Sequence, residues 1–457
     1  MKTTYSFKSL LLIILFVVSG CESFIETDTP NSQIIGTEVF EDTETAEAAL
    51  QENYIRLRDQ VLITGTGTGM GALMGLYTDE LQNWRVNNVT DQSFYINKVS
   101  PANGTLSQIW NNCYKLVYNC NRILEGLDKS QGIPTEIKQR MKGETLAIRS
   151  IVYFYMVQLF GQIPYVTTTD FKFNSTIHKT APEVLYERIL NDTQIAYNLL
   201  DGHAIIKTKI NQDVVAAFLS RMYLYLNNWQ KAIQYSNQII ESNRYRLEDD
   251  VNNVFLKESN GVIWHLKAQA EGNNTHEGKY FIFISAPPPS ISLTTNLVEA
   301  FEPEDLRKKY WIKSIQNDQT TTYFHAYKYK EKQSTSSSKE YSVVFRLEEA
   351  YYNRLESYIY IGRNDLALTD WNLLRERYGL PLYSEIPADW KEQLLRERQL
   401  EFFCEFGFRF FDLKRTGKLS DEMLKSKSQW HKHYDLLPLP QSELLLNPNL
   451  LPQNEGY

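Results

Sequence analysis

Two helical hairpins recur in this chain, and a helix pair that recurs restrains the fold: neither copy buries its apolar face alone, so copies must stack. The first hairpin is read at 214–226 and 229–242, joined by Asn227-Asn228. The second is read at 348–361 and 365–378, joined by Gly362-Arg363-Asn364. At one constant offset Tyr223 matches Tyr358, Leu226 matches Ile361, Ala232 matches Ala367 and Ile239 matches Leu374. A small residue early in the second helix lets the facing helix approach closely. Two unrelated hairpins are the alternative reading.

Other stretches carry the same period. Thr43 can cap a helix whose apolar positions are Ala46, Ala49, Leu50, Tyr54, Leu57 and Val61. Helical blocks at 106–127 and 136–160 follow, the second ending at Gly161 with Pro164 just beyond. The segment 251–345 differs: it holds Pro287-Pro288-Pro289, a serine-rich tract at 334–338 and many aromatics. Short strands are expected there at 262–266 and 279–284. A long irregular insertion on a helical scaffold is usually functional or disordered, and the aromatics favour function. From Leu436 onward a proline- and asparagine-rich ordered tail is expected. With 42% hydrophobic and 13% aromatic residues, the chain can fill a large core, which excludes disorder. A net charge of −7 with no basic stripe argues against a nucleic-acid partner.

The N-terminus reads as an address. Lys2 and Lys8 precede an apolar run at 10–18, too short to span a bilayer and suited to a signal peptide. Val18-Ser19-Gly20-Cys21 then resembles a bacterial lipobox, which implies cleavage after residue 20 and acylation of Cys21. The expected organisation is a signal peptide at 1–20, a lipid-anchored tether at 21–42 and one helical domain at 43–457. No other stretch is long and apolar enough to cross a membrane, so the mature chain is expected to be anchored and otherwise soluble. Cys113, Cys120 and Cys404 are an odd remainder. Cys113 and Cys120 are seven apart on one helix, about 10 Å at the helical rise, which is too far for a disulfide. No Cys or His spacing suits zinc.

Several residues invite a chemical reading. Glu401 and Glu405 share a helical face and could serve as paired carboxylates of a glycoside hydrolase. Arg398 and Arg409 flank them among six phenylalanines, so mutually neutralising ions in a packed knot are the favoured reading. The glycines from Gly65 to Gly75 contain a loose GxGxxA at Gly67, but no strand or βαβ unit surrounds it, and a mobile loop is expected. His431 and His433 lack a convincing third ligand, and surface histidines are expected. Trp84 lies beside Arg85, Asn87 and Asn88. A flat indole next to guanidinium and amide donors suits a sugar ring, whose C–H face stacks while its hydroxyls find partners. The alternative is that Trp84 closes a helix end.

Blocks along nearly the whole chain resemble the SusD/RagB family of Bacteroidetes outer-membrane lipoproteins. They include Cys21-Glu22-Ser23-Phe24 with Pro30, and Arg149-Ser150-Ile151 running to Phe160-Gly161-Gln162-Ile163-Pro164. They continue through Ala216 to Ala232 and through Leu297-Val298-Glu299-Ala300-Phe301 with Asp305-Leu306-Arg307. The most specific block runs from Leu395-Arg396-Glu397-Arg398 to Asp412-Leu413-Lys414-Arg415-Thr416-Gly417. Pro440-Gln441-Ser442-Glu443, Asn447-Pro448-Asn449 and Gln453-Asn454 close the chain in the same manner. Glu405-Phe406-Gly407-Phe408-Arg409 is one residue longer than the commoner Glu-Gly-x-Arg form, a departure that bears on subgroup.

The resemblance implies a mainly α fold, with a tetratricopeptide-like hairpin scaffold and a long irregular insertion at 251–345 containing a few short strands. It implies a palmitate-bearing lipoprotein at the outer membrane, facing outward. Such a protein binds an extracellular nutrient, most readily a glycan, and passes it to a TonB-dependent, SusC-like transporter. No catalysis, cofactor or metal is implied. The family's ligand residues come from the Trp84 region and the mid-chain insertion. Asn273, Tyr280, Tyr323 and Tyr327 thereby join Trp84, Arg85, Asn87 and Asn88 as candidates. A surface glycoside hydrolase and a helical-repeat scaffold that binds only protein are the competing readings.

Overall fold

The computed structural model describes residues 38–318 and 320–457. The expected signal peptide, the acylated Cys21 and all but the end of the expected tether lie outside the described residues. Packed structure already begins at a 3-10 turn, Glu38–Phe40, ahead of the boundary expected at residue 43. Phe40 is buried against Gly126, where an added Cβ would stand 2.1 Å from its ring.

The chain then builds helix on helix. Helix α1 (Thr43–Asp59) is capped by Asp42 rather than Thr43: the Asp42 carboxylate accepts from the N–H groups of Glu44 and Thr45 at 3.0 Å. The glycine run is only partly loop, because α2 (Met70–Tyr77) forms inside it. A Cβ on Gly71 would meet the Cys404 carbonyl at 2.5 Å, so the run serves close backbone approach. Strand β1 (Leu81–Asn83) and helix α3 (Val89–Tyr95) follow. The long pair α4 (Gly104–Lys129) and α5 (Thr135–Phe160) matches the expected periodicity. Every residue of α5 from Gly143 to Phe160 is buried, and the helix stops at Gly161 with φ 71°. Cys113 and Cys120 on α4, and Cys404, are free and buried.

Helices α6 (Phe171–Asn174) and α7 (Pro182–Leu199) lead to the first hairpin, α8 (Gln212–Tyr225) and α9 (Trp229–Ile240). Strand β2 (Val262–Leu266) falls where it was expected. The strand expected at 279–284 is instead α10 (His276–Phe281): the Thr275 hydroxyl accepts from Gly278 N–H and nucleates a helix that alternation alone did not signal. Then come β3 (Ile291–Leu293), α11 (Thr295–Glu299), α12 (Leu306–Trp311), β4 (Ile312–Gln316), β5 (Thr322–Ala326) and β6 (Ser342–Arg346). The second hairpin is α13 (Leu347–Tyr360) and α14 (Asn364–Arg377). Helices α15 (Trp390–Phe402), α16 (Phe408–Arg415), α17 (Leu419–Ser426) and α18 (Gln441–Leu446) complete the chain.

The hairpins stack. Ala232 and Ala367 are both fully buried, as are Ile239 and Leu374, while Leu226 and Ile361 are both exposed. The matched turn residues Asn227 and Gly362 both have left-handed backbones, φ 56° and 77°. Arg354 of α13 joins the hairpins, donating to both Asp370 oxygens at 2.8 and 2.7 Å and to Asn237 of α9 at 2.8 Å. The mid-chain insertion is more ordered than its composition suggested. It supplies β2 to β6, arranged as a two-stranded β2–β6 pair and an antiparallel sheet in the order β1-β3-β5-β4.

The charged block is structural, with partners other than the local ones expected. Helix α15 ends at Phe402, and left-handed Cys404 and Phe406 break the helical spacing, so Glu405 and Arg409 do not meet. Arg398 binds Asp412 at 2.8 Å, and Arg409 binds Asp79 at 2.8 Å. Glu401 has no exposed surface and pairs with Arg346 and, at 3.3 Å, with Arg307. Glu405 binds Arg346 at 3.0 Å and Lys328. Burial alone would raise the Glu401 carboxyl, but Arg346, Arg307 and Arg377 hold it down to about 2.

Two outcomes are expected. Glu401→Ala removes one of the carboxylates that Arg346 and Arg307 share in the buried layer, leaving an excess of buried positive charge, and should cost about 3 kcal/mol in urea unfolding. Glu80 shows the opposite charge balance: burial, helped by the Asp79 charge, pushes its carboxyl up to about 8. It therefore stays protonated in the fold after the unfolded chain has ionised near pH 4.3. Stability should fall between about pH 4.5 and 8, by up to about 1.4 kcal/mol per unit. Glu80→Gln should reduce that slope and leave the part due to Glu340, whose burial pushes its carboxyl up to about 7, as read by unfolding free energy against pH.

Candidate functional site

The four-stranded sheet places the aromatic candidates. Strand β1 pairs with β3 in the register Gln82↔Ser292, and β3 pairs with β5 through Leu293↔Phe324. The ladder continues past β1, where Trp84 N–H donates to the Ser290 carbonyl at 2.8 Å. The Trp84 indole N–H donates to Ser292 Oγ at 2.9 Å, which satisfies its one polar group and fixes its ring. Tyr323 on β5 meets that ring edge-on, with centroids 5.2 Å apart and planes at 83°. Trp84 keeps 40% of its surface exposed, so it does not simply close a helix end.

Trp84 and Tyr323 line a groove of about 960 Å³, at the upper end of the range for ligand sites. The rest of its wall mixes apolar side chains, Leu81, Ile96, Leu293 and Phe324, with polar ones that include Gln82, Tyr95, Asn296, Thr322, Lys98, Lys425, Lys427 and Gln429. Tyr95 donates to Gln82 Oε1 at 2.7 Å. Lys427 spends two N–H groups on the carbonyls of Leu76 and Tyr95, each at 2.6 Å, and sits 4.7 Å from the Tyr95 ring centroid. Burial pushes its ammonium down to about 7.

The other candidates fall elsewhere. Arg85, Asn87 and Asn88 form the turn after Trp84, with Asn88 N–H donating to the Arg85 carbonyl at 2.8 Å, and they do not line the groove. Arg85 faces Asp91 at 3.4 Å. Asn88 caps α3, its side-chain oxygen accepting from Asp91 N–H at 2.9 Å. Asn273 borders a separate cleft of about 170 Å³ with Arg58, His276 and Tyr341. Tyr280 is packed against the glycine run, where a Cβ on Gly67 would meet its ring at 2.6 Å. Tyr327 lies beyond the end of β5 between the ammonium groups of Lys313 and Lys330, 4.9 and 4.6 Å from its ring. Buried His325 stands between it and Tyr323 in sequence and packs on Phe283.

The sequence reading missed Gln82, Tyr95, Asn296 and Lys427. Tyr95 carried the one available signal, an aromatic at the end of a short helix that Asn88 could cap. The hydrolase pair is out of reach of a sugar: Glu401 is fully buried and held ionised. Among the described residues no cluster of three His, Cys, Asp or Glu side chains could hold a metal. No helix among them is long and apolar enough to cross a membrane.

Comparison with known proteins follows the same outline. Residues 46–224 match a family described as starch-binding and associating with the outer membrane, and residues 304–457 match the SusD family. The chain belongs to the SusD/RagB family. A SusD-like protein, P2, of Formosa agariphila is 24% identical over 99% of both chains. A SusD superfamily protein from Bacteroides vulgatus superposes with a TM-score of 0.80 at 22% identity, covering 92% of this chain and 100% of its own. Surface glycan-binding protein A from Bacteroides fluxus gives 0.72 at 18% identity, covering 91% and 99%. Within this SusD-like chain, Trp84, Tyr95 and Tyr323 fall inside the matched regions and Ser292 falls between them.

Capping and ligand roles for the turn are separable. Asn88→Ala should cost about 1 kcal/mol of stability through the lost cap. Asn87→Ala should stay within about 0.5 kcal/mol. Urea unfolding of both variants checks this.

Proposed function

We propose that this SusD-like chain is a non-catalytic glycan-binding lipoprotein that captures an oligosaccharide in the Trp84–Tyr323 groove. The observation that carries the reading is a partly exposed indole, fixed by Ser292 and flanked by Tyr323, in a groove whose wall also offers the hydroxyl and amide groups of Gln82, Tyr95, Asn296 and Thr322. The glycan-binding relative from Bacteroides fluxus and the starch-binding description of the family support it. A ring face offers apolar contact to sugar C–H groups, and the polar wall offers directional partners to hydroxyls.

In this reading Cys21 carries the lipid, residues up to the first packed turn form the tether, and the folded domain faces outward from the outer membrane. The partner is a TonB-dependent, SusC-like transporter that the protein covers. Individual contacts in an open groove are weak, and tethering beside the transporter raises the effective concentration enough for capture. Asn273, Tyr280 and Tyr327 drop out of the proposed contact set, as do Arg85, Asn87 and Asn88 in the turn after Trp84.

Trp84→Ala and Tyr323→Ala should each weaken oligosaccharide binding about tenfold, or about 1.4 kcal/mol, with the fold intact. Titration calorimetry against a panel of oligosaccharides reads this. Silence of the parent protein across the panel would favour the protein-binding scaffold. Labelled fatty acid should enter the full chain and be lost in Cys21→Ala, and a large β-barrel should co-purify with the anchored form.

A further inference from the structure

We infer that the groove is built for an anionic glycan, whose sugars carry carboxylate or sulfate groups. This rests on the ligand reading above and adds the charge of the ligand.

The charged residues of the groove wall are Asp79, Lys98, Lys425 and Lys427. The one carboxylate is already neutralised: Arg409 donates to both Asp79 oxygens at 3.0 and 2.8 Å, and the Gln399 amide adds a bond at 3.3 Å. The lysines are not balanced in the same way. Lys98 is exposed, and no carboxylate lies within ion-pair distance of it among the described residues. Lys425 meets Glu422 at 2.6 Å while its side chain stays 69% exposed, and Glu422 also serves Arg409 at 3.7 Å. Asp79 and Glu422 together balance Arg409 and Lys425, which leaves Lys98, among the described residues, as the exposed ammonium group of the groove with no acid beside it. Lys427 is fixed by two backbone carbonyls, with no acid paired to it among the described residues.

A cationic wall is unexpected in a chain of net charge −7. A neutral sugar needs hydroxyl and amide partners, which the groove already has, and gains little from ammonium groups it cannot neutralise. Lysines act as compact, mobile point charges that suit carboxylates and sulfates at varied positions along a polymer. The arrangement also divides the work: the end of β1 and β5 supply the rings, while the loop after α3 and the last turn of α17 supply the exposed ammonium groups.

The test titrates the full folded chain with three oligosaccharide probes of similar length: an oligogalacturonate, a sulfated galactan fragment and a neutral galactan fragment. Each is measured at low and high ionic strength, with the parent and a Lys98→Ala/Lys425→Ala variant. At least one acidic probe should bind more tightly than the neutral one and weaken with salt. The double variant should lose about tenfold for that probe at low salt and change little for the neutral one. Comparing the two acidic arms tells whether carboxylate or sulfate is read. Neutral binding equal to or tighter than both acidic probes overturns the inference and leaves the groove as a glycan site. Acidic binding that ignores the lysine substitutions also overturns it. If no probe binds, and a wider neutral panel is silent too, the glycan reading itself falls.

Discussion

Glu401 carries a full negative charge where no solvent reaches it, and much of the molecule is arranged around that fact. Burying an ion costs several kcal/mol unless partners surround it. The partners come from far along the chain: Arg346 at the end of β6, Arg307 in α12, and Lys328 just after β5, which donates to the Glu401 carbonyl at 2.7 Å. Glu405, just past the end of the helix that carries Glu401, uses the same Arg346 and Lys328. The ions fasten the mid-chain strands to the C-terminal helices. They are useless to catalysis for the same reason: a carboxylate locked between guanidinium groups can neither hold a proton for a leaving group nor reach a sugar.

This charged layer also sets the position of the groove. Lys328 anchors the end of β5, whose first residues include Tyr323. Arg409 grips Asp79, which lies just before β1 and Trp84. Strand β1 is therefore pinned just before its start and β5 just after its end, and β3 lies between them, paired with both. The indole bond to Ser292 completes the arrangement, holding a large aromatic partly in water without leaving its N–H unpaired. A ring kept at such exposure by a dedicated partner differs from the scattered apolar residues that any surface carries.

The scaffold was legible in the sequence because helices announce themselves locally. The small–large alternation at Ala232 and Ala367, the stop at Gly161 and the turn residues Asn227 and Gly362 are each readable within a few positions. Trp84 was legible as a large aromatic in a polar loop, and Tyr323 only through the family resemblance. What was missed depends on distant contacts. Nothing near Glu401 names Arg346 as its partner, and the neighbouring Arg398 misleads because it is committed to Asp412. Tyr327 has the same composition around it as Tyr323, yet β5 ends between them and the two rings reach different surroundings. The strand expected at 279–284 failed because one threonine cap outweighs a short apolar alternation. The glycines looked mobile until Cys404 was found lying against Gly71.

The rings and the lysines of the groove work over different ranges. At physiological ionic strength a charge is felt over about 8 Å, so an acidic chain neither attracts nor strongly repels a polyanion at a distance. In the proposed reading, the exposed Lys98 and Lys425 act only once a glycan has arrived, and they then discriminate by charge. Ring stacking is indifferent to charge but requires close contact, which the open wall allows. In the proposed reading, contact through Trp84 and Tyr323 brings an acidic substituent within range of Lys98 and Lys425, and each lysine contact lengthens the time a sugar stays on the rings. Neither feature alone would hold a flexible oligosaccharide against its lost freedom. Their placement on one groove, secured by the buried ions beneath, is what makes weak contacts additive.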